Sequence, residues 1–114
     1  MAGQKNFEID QGATFYTEIE YLNGDDTPID LEGCTAKMQV RNSKGGGKIV
    51  CTLTTDDGIA LDTETATFKI TIAPEFTKNF YYPKSSYDLV VTDTNNNKTR
   101  ILEGYFSLSR STTL

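Results

Sequence analysis

The chain is expected to fold as an all-β domain: an antiparallel β-sandwich of about seven or eight short strands with one short helical turn. Three observations predict it. Apolar residues recur with period two almost throughout, as they do in strands whose successive side chains face opposite sides. The alternating segments are rich in Thr, Val, Ile, Phe and Tyr, which suit a pleated, half-buried surface. Clusters of Gly, Asn, Asp and Pro recur about every ten residues, the spacing of turns in a two-sheet sandwich rather than an open meander.

The clearest strand is Thr14 to Leu22, where Phe15, Thr17, Ile19 and Tyr21 share one face and Tyr16, Glu18 and Glu20 the other. The first set is expected to face the core. Asn23 to Pro28 is a polar turn-forming stretch that ends this strand. Thr35 to Arg41 alternates again, with Ala36, Met38 and Val40 apolar. Gly45-Gly46-Gly47 breaks the pattern before Ile49 to Leu53 resumes it, so the two strands are expected to pair as a hairpin. Thr55-Asp56-Asp57-Gly58 then sets a tight turn before a short strand, Ile59 to Leu61.

Thr65 to Ile72 is the most regular segment, with Ala66, Phe68, Ile70 and Ile72 inward, and is expected to be a central strand. Ala73 to Phe80 alone looks helical: Pro74 suits a first turn, and Phe76 and Phe80 stand four apart, on one face of a helix. Pro83 stops it. Tyr87 to Thr92 and Thr99 to Ser109 form the last two strands, separated by Asn95-Asn96-Asn97. Gly104, within the final strand, signals a bulge or a close approach. The number of strands and the turn spacing favour a sandwich of the immunoglobulin kind.

A length of 114 residues suits one domain with one core. Residues 7–109 are expected to form the sandwich, with residues 1–6 and 110–114 as N- and C-terminal arms. The net charge of -5 repels phosphate backbones and anionic lipid, which argues against nucleic-acid and membrane partners. No leader-like apolar stretch opens the chain and no run approaches the length of a membrane span, so cytoplasmic synthesis is expected. Cys34 and Cys51 are then expected to be reduced, buried small hydrophobes rather than a bridge.

The chain contains no histidine, which removes His-based triads, bases and metal sites. Neither cysteine has a histidine partner or a basic cluster to activate it. A carboxylate pair could be drawn from Glu18, Glu20 and Glu103, since Glu18 and Glu20 lie about 7 Å apart on one strand face, but solvated faces commonly look the same. Asp25, Asp26, Asp56 and Asp57 are hard oxygen ligands on loops, yet no loop matches a calcium-binding motif, and ordinary turn chemistry accounts for them. Lys48 after the glycines is followed by a strand, where a phosphate loop needs a helix. Asn97-Lys98-Thr99 fits a glycosylation acceptor but reads as a turn. No catalytic residue, metal or cofactor is assigned, and no enzyme activity is expected.

Aromatic residues on faces that should be polar remain to be explained. Tyr16 stands among glutamates, Tyr105 between Glu103 and Ser107, and Tyr81 and Tyr82 beside Pro83. Tyrosine offers rigid, amphipathic contact area and is enriched at protein interfaces and on sugar-binding platforms. Tyr16, Tyr81, Tyr82 and Tyr105 are therefore the interface candidates, although Tyr81 or Tyr82 could instead cap one end of the core.

The succession Asp10-Gln11-Gly12-Ala13-Thr14-Phe15, then Pro28-Ile29-Asp30-Leu31-Glu32-Gly33-Cys34-Thr35-Ala36-Lys37-Met38-Gln39-Val40-Arg41, resembles small tailed-bacteriophage virion proteins with an immunoglobulin-like sandwich. Leu53 to Ile59, Tyr87-Asp88-Leu89 and Arg100 to Gly104 follow in that family's order. The resemblance spans nearly the whole chain and extends to the N-terminal domain of phage upper baseplate proteins. Cys34 departs from it, standing where the family usually has an aromatic residue, as does the glycine-rich Gly45 to Lys48 loop. The resemblance implies a structural protein of the virion, made in the host cytoplasm. It would dock on or decorate a capsid, neck or tail/baseplate surface through contacts with other virion proteins or with further copies of itself. The second reading is a carbohydrate- or receptor-binding module in which these tyrosines stack on sugar rings.

Overall fold

Period-two segments become strands where their apolar side can be buried. The computed structural model describes residues 3–43 and 46–112. Lys44 and Gly45 of the glycine-rich loop, and the outermost two residues of each expected arm, lie outside the described residues. Nine strands form among the described residues: β1 (Gly3–Gln4), β2 (Phe7–Asp10), β3 (Phe15–Glu20), β4 (Thr35–Ser43), β5 (Gly46–Thr55), β6 (Gly58–Asp62), β7 (Thr67–Ile72), β8 (Lys84–Thr92) and β9 (Lys98–Ser109). A single helical turn, α1 (Pro74–Thr77), joins β7 to β8.

Hydrogen bonding runs without a break in the order β1-β9-β8-β4-β5-β6-β7-β3, with β2 also on β9. The path is nevertheless two layers. β5 and β6 meet only at Thr54 with Gly58 and Thr55 with Ile59, around a turn in which Asp56 and Gly58 take positive φ (67° and 98°). Genuine parallel neighbours need a crossover of a dozen or more residues. This contact is instead the corner at which the chain leaves one sheet for the other. Phe15 on β3 touches Phe7 on β2 and Phe106 on β9, at ring centroids of 5.5 and 5.2 Å, although β3 shares no ladder with either strand. β3-β7-β6 therefore packs over β2-β9-β8-β4-β5.

The expected antiparallel β-sandwich is the fold found, with one pairing that departs from it and nine described strands where about seven or eight were expected. β1 and β2 run parallel to β9, with Gly3 opposite Leu102 and Phe7 opposite Phe106, so the sheet is mixed. The nine strands include these two, which lie ahead of the first expected strand. Phe7 and Ile9 alternate with Glu8 and Asp10, but four residues are too short a run to reveal which partner, about 100 residues later, will hold them. Part of the expected N-terminal arm is thus a strand.

The core follows the alternation. In β7, which lies between β3 and β6, Phe68, Ile70 and Ile72 are fully buried. Met38 and Val40 of β4, Leu89 of β8 and Phe106 of β9 meet them from the other layer within one cluster, and β4 and β5 pair as the hairpin the sequence implies. Ala66 is buried but sits in the turn ahead of β7, at φ 52°. The short helical turn expected within Ala73 to Phe80 forms, as Pro74–Thr77. Phe80 falls beyond α1, is buried and packs edge-on against Phe106, whereas Phe76 is exposed. The two rings share no helix face, because the four-residue spacing has meaning only while the helix continues.

Candidate functional site

The four tyrosines separate into two kinds. Tyr16 (53% exposed), Tyr81 (70%) and Tyr82 (44%) are among the large hydrophobic side chains most open to solvent, which removes the core-capping reading of Tyr81 and Tyr82. Tyr105 is half-buried: the Lys84 ammonium lies 4.2 Å from its ring centroid, a cation–π contact from the neighbouring strand. Its backbone N–H donates to Asn6 Oδ1 at 3.0 Å. Tyr105 is thus partly engaged within the chain, and the other three remain free for contact.

Local structure explains these positions. Tyr16 stands on the outward face of β3, opposite Thr71 of β7, because Phe15 and Thr17 on either side point inward. Tyr81 and Tyr82 occupy the loop after α1. That loop is tied down by backbone groups: the Gln11 side-chain amide donates to the Phe80 carbonyl at 3.1 Å, and Arg110 Nη2 donates to the Tyr81 carbonyl at 3.0 Å. The tyrosine rings therefore project from an anchored backbone.

Sequence reasoning overlooked Phe76 and Ile49, both exposed. Phe76 and Tyr16 line one groove of about 530 Å³ on the outer surface of β3-β7-β6. Gly58, Ala60 and Thr71 also line it, together with the charged residues Lys69, Asp56, Asp57 and Glu75. Only recognising that α1 stops after one turn would have placed Phe76 outside.

The remaining chemistry-bearing residues are dispersed. Glu18 faces Lys69 across the β3–β7 ladder and Glu20 faces Thr67. Glu103 lies in the other sheet, 3.4 Å from Arg100 Nε, so the structure does not bring the three carboxylates together. Asp25 accepts the Thr27 hydroxyl at 2.6 Å and the Thr27 N–H at 3.2 Å, which hold its carboxyl below the ordinary range. Asp93 likewise accepts the N–H groups of Asn95 and Asn97, at 2.8 and 2.9 Å, in the turn before β9.

Both cysteines are free thiols; Cys51 is buried and Cys34 half-buried. Cys51 pairs across from Val40, six residues along from Cys34, a separation of about 20 Å at strand rise that no disulfide spans. Burial, then nearby Asp57, pushes the Cys51 thiol from 9.0 up to about 11. Burial, then Asp93 and Asp30, also raises Cys34. Neither is a thiolate at neutral pH, so neither is poised as a nucleophile.

The Cys51 shift has a stability consequence. A group whose folded pKa lies above its unfolded value holds its proton more tightly when folded, so its contribution is full below the unfolded pKa and is lost as pH rises through the folded one. Burial raises the Tyr87 hydroxyl in the same sense. Urea midpoints are therefore expected to hold up to about pH 9 and fall between 9 and 11. Cys51→Val should flatten the first part of that fall. A profile unchanged by the substitution would exclude Cys51 as its source.

No family model matches the chain, and no curated protein matches it. Among solved structures, a chain from work on the multimeric cell-adhesive interactions of VGSC beta subunits is similar over 93% of this chain and 92% of its own. Its identity is 14% and its TM-score 0.52. A chain of Drosophila OTK extracellular domains 3–5 is similar over 96% of this chain at 13% identity and a TM-score of 0.38, and this chain spans 33% of it. The first likeness, with the strand order above, shows an immunoglobulin-like β-sandwich.

Proposed function

We propose that this domain is a non-enzymatic structural protein of a tailed-phage virion, docking on a capsid, neck or tail/baseplate surface through protein–protein contacts. The observation that carries the docking reading is the set of exposed aromatic rings, Tyr16, Phe76, Tyr81 and Tyr82, on a sandwich whose core is already filled by other residues. Large rings left in water on an anchored backbone contribute nothing to that core, and they are the residue types that dominate interface energetics. The phage setting rests on the sequence resemblance. The adhesive VGSC beta subunits illustrate an immunoglobulin-like fold used for protein contacts.

Cryo-electron microscopy of purified particles from the source phage tests the reading. Ordered copies of the sandwich at one location are expected, with at least one exposed tyrosine in the contact; absence from the particle would overturn the virion role. Tyr81→Ala with Tyr82→Ala is expected to leave stability within about 0.5 kcal/mol, because both side chains are open to solvent. The same double variant should reduce incorporation into particles roughly tenfold or more if the loop after α1 makes the contact. Undiminished incorporation would move the contact elsewhere on the domain.

The carbohydrate- or receptor-binding reading is favoured by one feature, the groove that Tyr16 and Phe76 line together with the carboxylates of Asp56, Asp57 and Glu75. Such a site offers ring stacking and hydroxyl acceptors together. Binding on a glycan array that Tyr16→Ala abolishes would support it, and an array without signal would remove it.

A further inference from the structure

Both N-terminal strands pair with β9, so among the described residues β3 has a single ladder neighbour, β7, and its other side is an open edge. The inward side chains of β3, Phe15, Thr17 and Ile19, are only half-buried, whereas Phe68, Ile70 and Ile72 of adjacent β7 are completely enclosed. The core is therefore finished beneath β7 and incompletely covered beneath β3. On the outer side of the same strand Tyr16, Glu18 and Glu20 are exposed in alternation. β2, the edge strand of the facing layer, adds exposed Glu8 and Asp10.

We infer that the β3 edge accepts an extended segment of a partner protein in which apolar and basic residues alternate. The inference names the partner chemistry for the docking function proposed above and rests on that reading only in taking the partner to be a protein. An open edge presents unpaired N–H and C=O groups that template an added strand. Because successive side chains of a strand face opposite sides, one segment can serve both needs of this edge. Its apolar residues cover Phe15 and Ile19, while its basic residues stand opposite Glu18 and Glu20, where opposite charges stabilise and like charges destabilise. Two copies of this chain joined through β3 would place those glutamates opposite or diagonal to their own kind. The edge thus selects a basic segment over a second copy.

The test uses the whole chain, labelled with nitrogen-15, and two peptides of about eight residues with identical composition. One alternates lysine and valine; the other carries the lysines and valines in separate blocks. The alternating peptide is expected to shift the amides of residues 15–20, to protect those that face away from β7, and to bind roughly tenfold or more tightly than the block peptide, because a face mismatch turns half its lysines inward. Glu18→Lys with Glu20→Lys should weaken the alternating lysine peptide by a similar factor and admit an alternating glutamate–valine peptide. Equal binding of the two lysine peptides, shifts confined to other strands, or no binding would each overturn the inference. If the charge-reversed chain does not fold, the peptide comparison decides alone. Presence of the protein on particles without edge binding would remove this inference and leave the docking function standing. Edge binding by a protein absent from particles would do the opposite.

Discussion

Phe106→Ala is expected to lower the stability of this domain by about 3–5 kcal/mol, the cost of emptying a large aromatic site in a packed core. The ring is fully enclosed and meets four others, at centroid distances of 5.6 Å to Phe7, 5.2 Å to Phe15, 5.9 Å to Phe80 and 5.1 Å to Tyr87. Those partners lie on β2, on β3, in the loop after α1 and on β8. A single side chain therefore ties both layers and one end of the sandwich to β9. Aromatic pairs contribute about 0.5–1.5 kcal/mol beyond their buried area, and no single neighbour can move in to recover four of them. A domain of this size has about 5–15 kcal/mol in total, so the variant should unfold at much lower urea. Phe106→Leu keeps much of the volume and should lose distinctly less. Urea unfolding of the two variants checks this, and a loss below about 1 kcal/mol for the alanine variant would show that the aromatic cluster is not the centre of the core.

Gly104→Ala is expected to cost about 3 kcal/mol, at the upper end of overpacking effects. A Cβ at position 104 would stand 1.9 Å from the Lys5 carbonyl oxygen and 2.8 Å from its carbon. These are backbone atoms, so no rotamer change relieves the clash. The whole N-terminal segment must lift instead. It is held there by the Lys5 N–H donating to the Glu103 carbonyl at 3.0 Å and by the Tyr87 hydroxyl donating to the Lys5 carbonyl at 2.7 Å. Displacement would leave the buried Tyr87 hydroxyl without that acceptor. Hydrogen exchange should show lost protection along β1 and β2, together with a lower urea midpoint. Gly24→Ala is the control, because a Cβ there meets nothing within 4 Å. If the two alanine variants proved equally stable, the close passage of Lys5 over Gly104 would not matter to the fold.

The exposed candidates were partly legible. Tyr16 falls on the outward side of an alternating strand, so its exposure follows from neighbours in sequence, whereas for Tyr81 and Tyr82 beside Pro83 the sequence left core capping open and the fold decided for exposure. Tyr105 has the same outward pattern, yet Lys84 from another strand covers its ring. The groove could not be read at all: it joins Tyr16 to Phe76 and to the Asp56–Asp57 turn, brought together only by the packing of β3, β7, β6 and α1.

The amino-acid sequence by itself determined the all-β class, the alternation that puts Phe68, Ile70 and Ile72 inside, the β4–β5 hairpin and the turns at Asp56 to Gly58 and Asn95 to Asn97. These depend on side-chain period and turn chemistry, which act within a few residues. Only the tertiary structure decided that β1 and β2 run parallel to β9, that Gly104 makes room for Lys5, that Phe80 is buried while Phe76 is not, and that β3 is left with an open edge. Each of these is a choice of partner between segments far apart in sequence. A strand's own residues specify which of its sides is apolar, but the strand that covers it is settled by competition among all the segments able to do so.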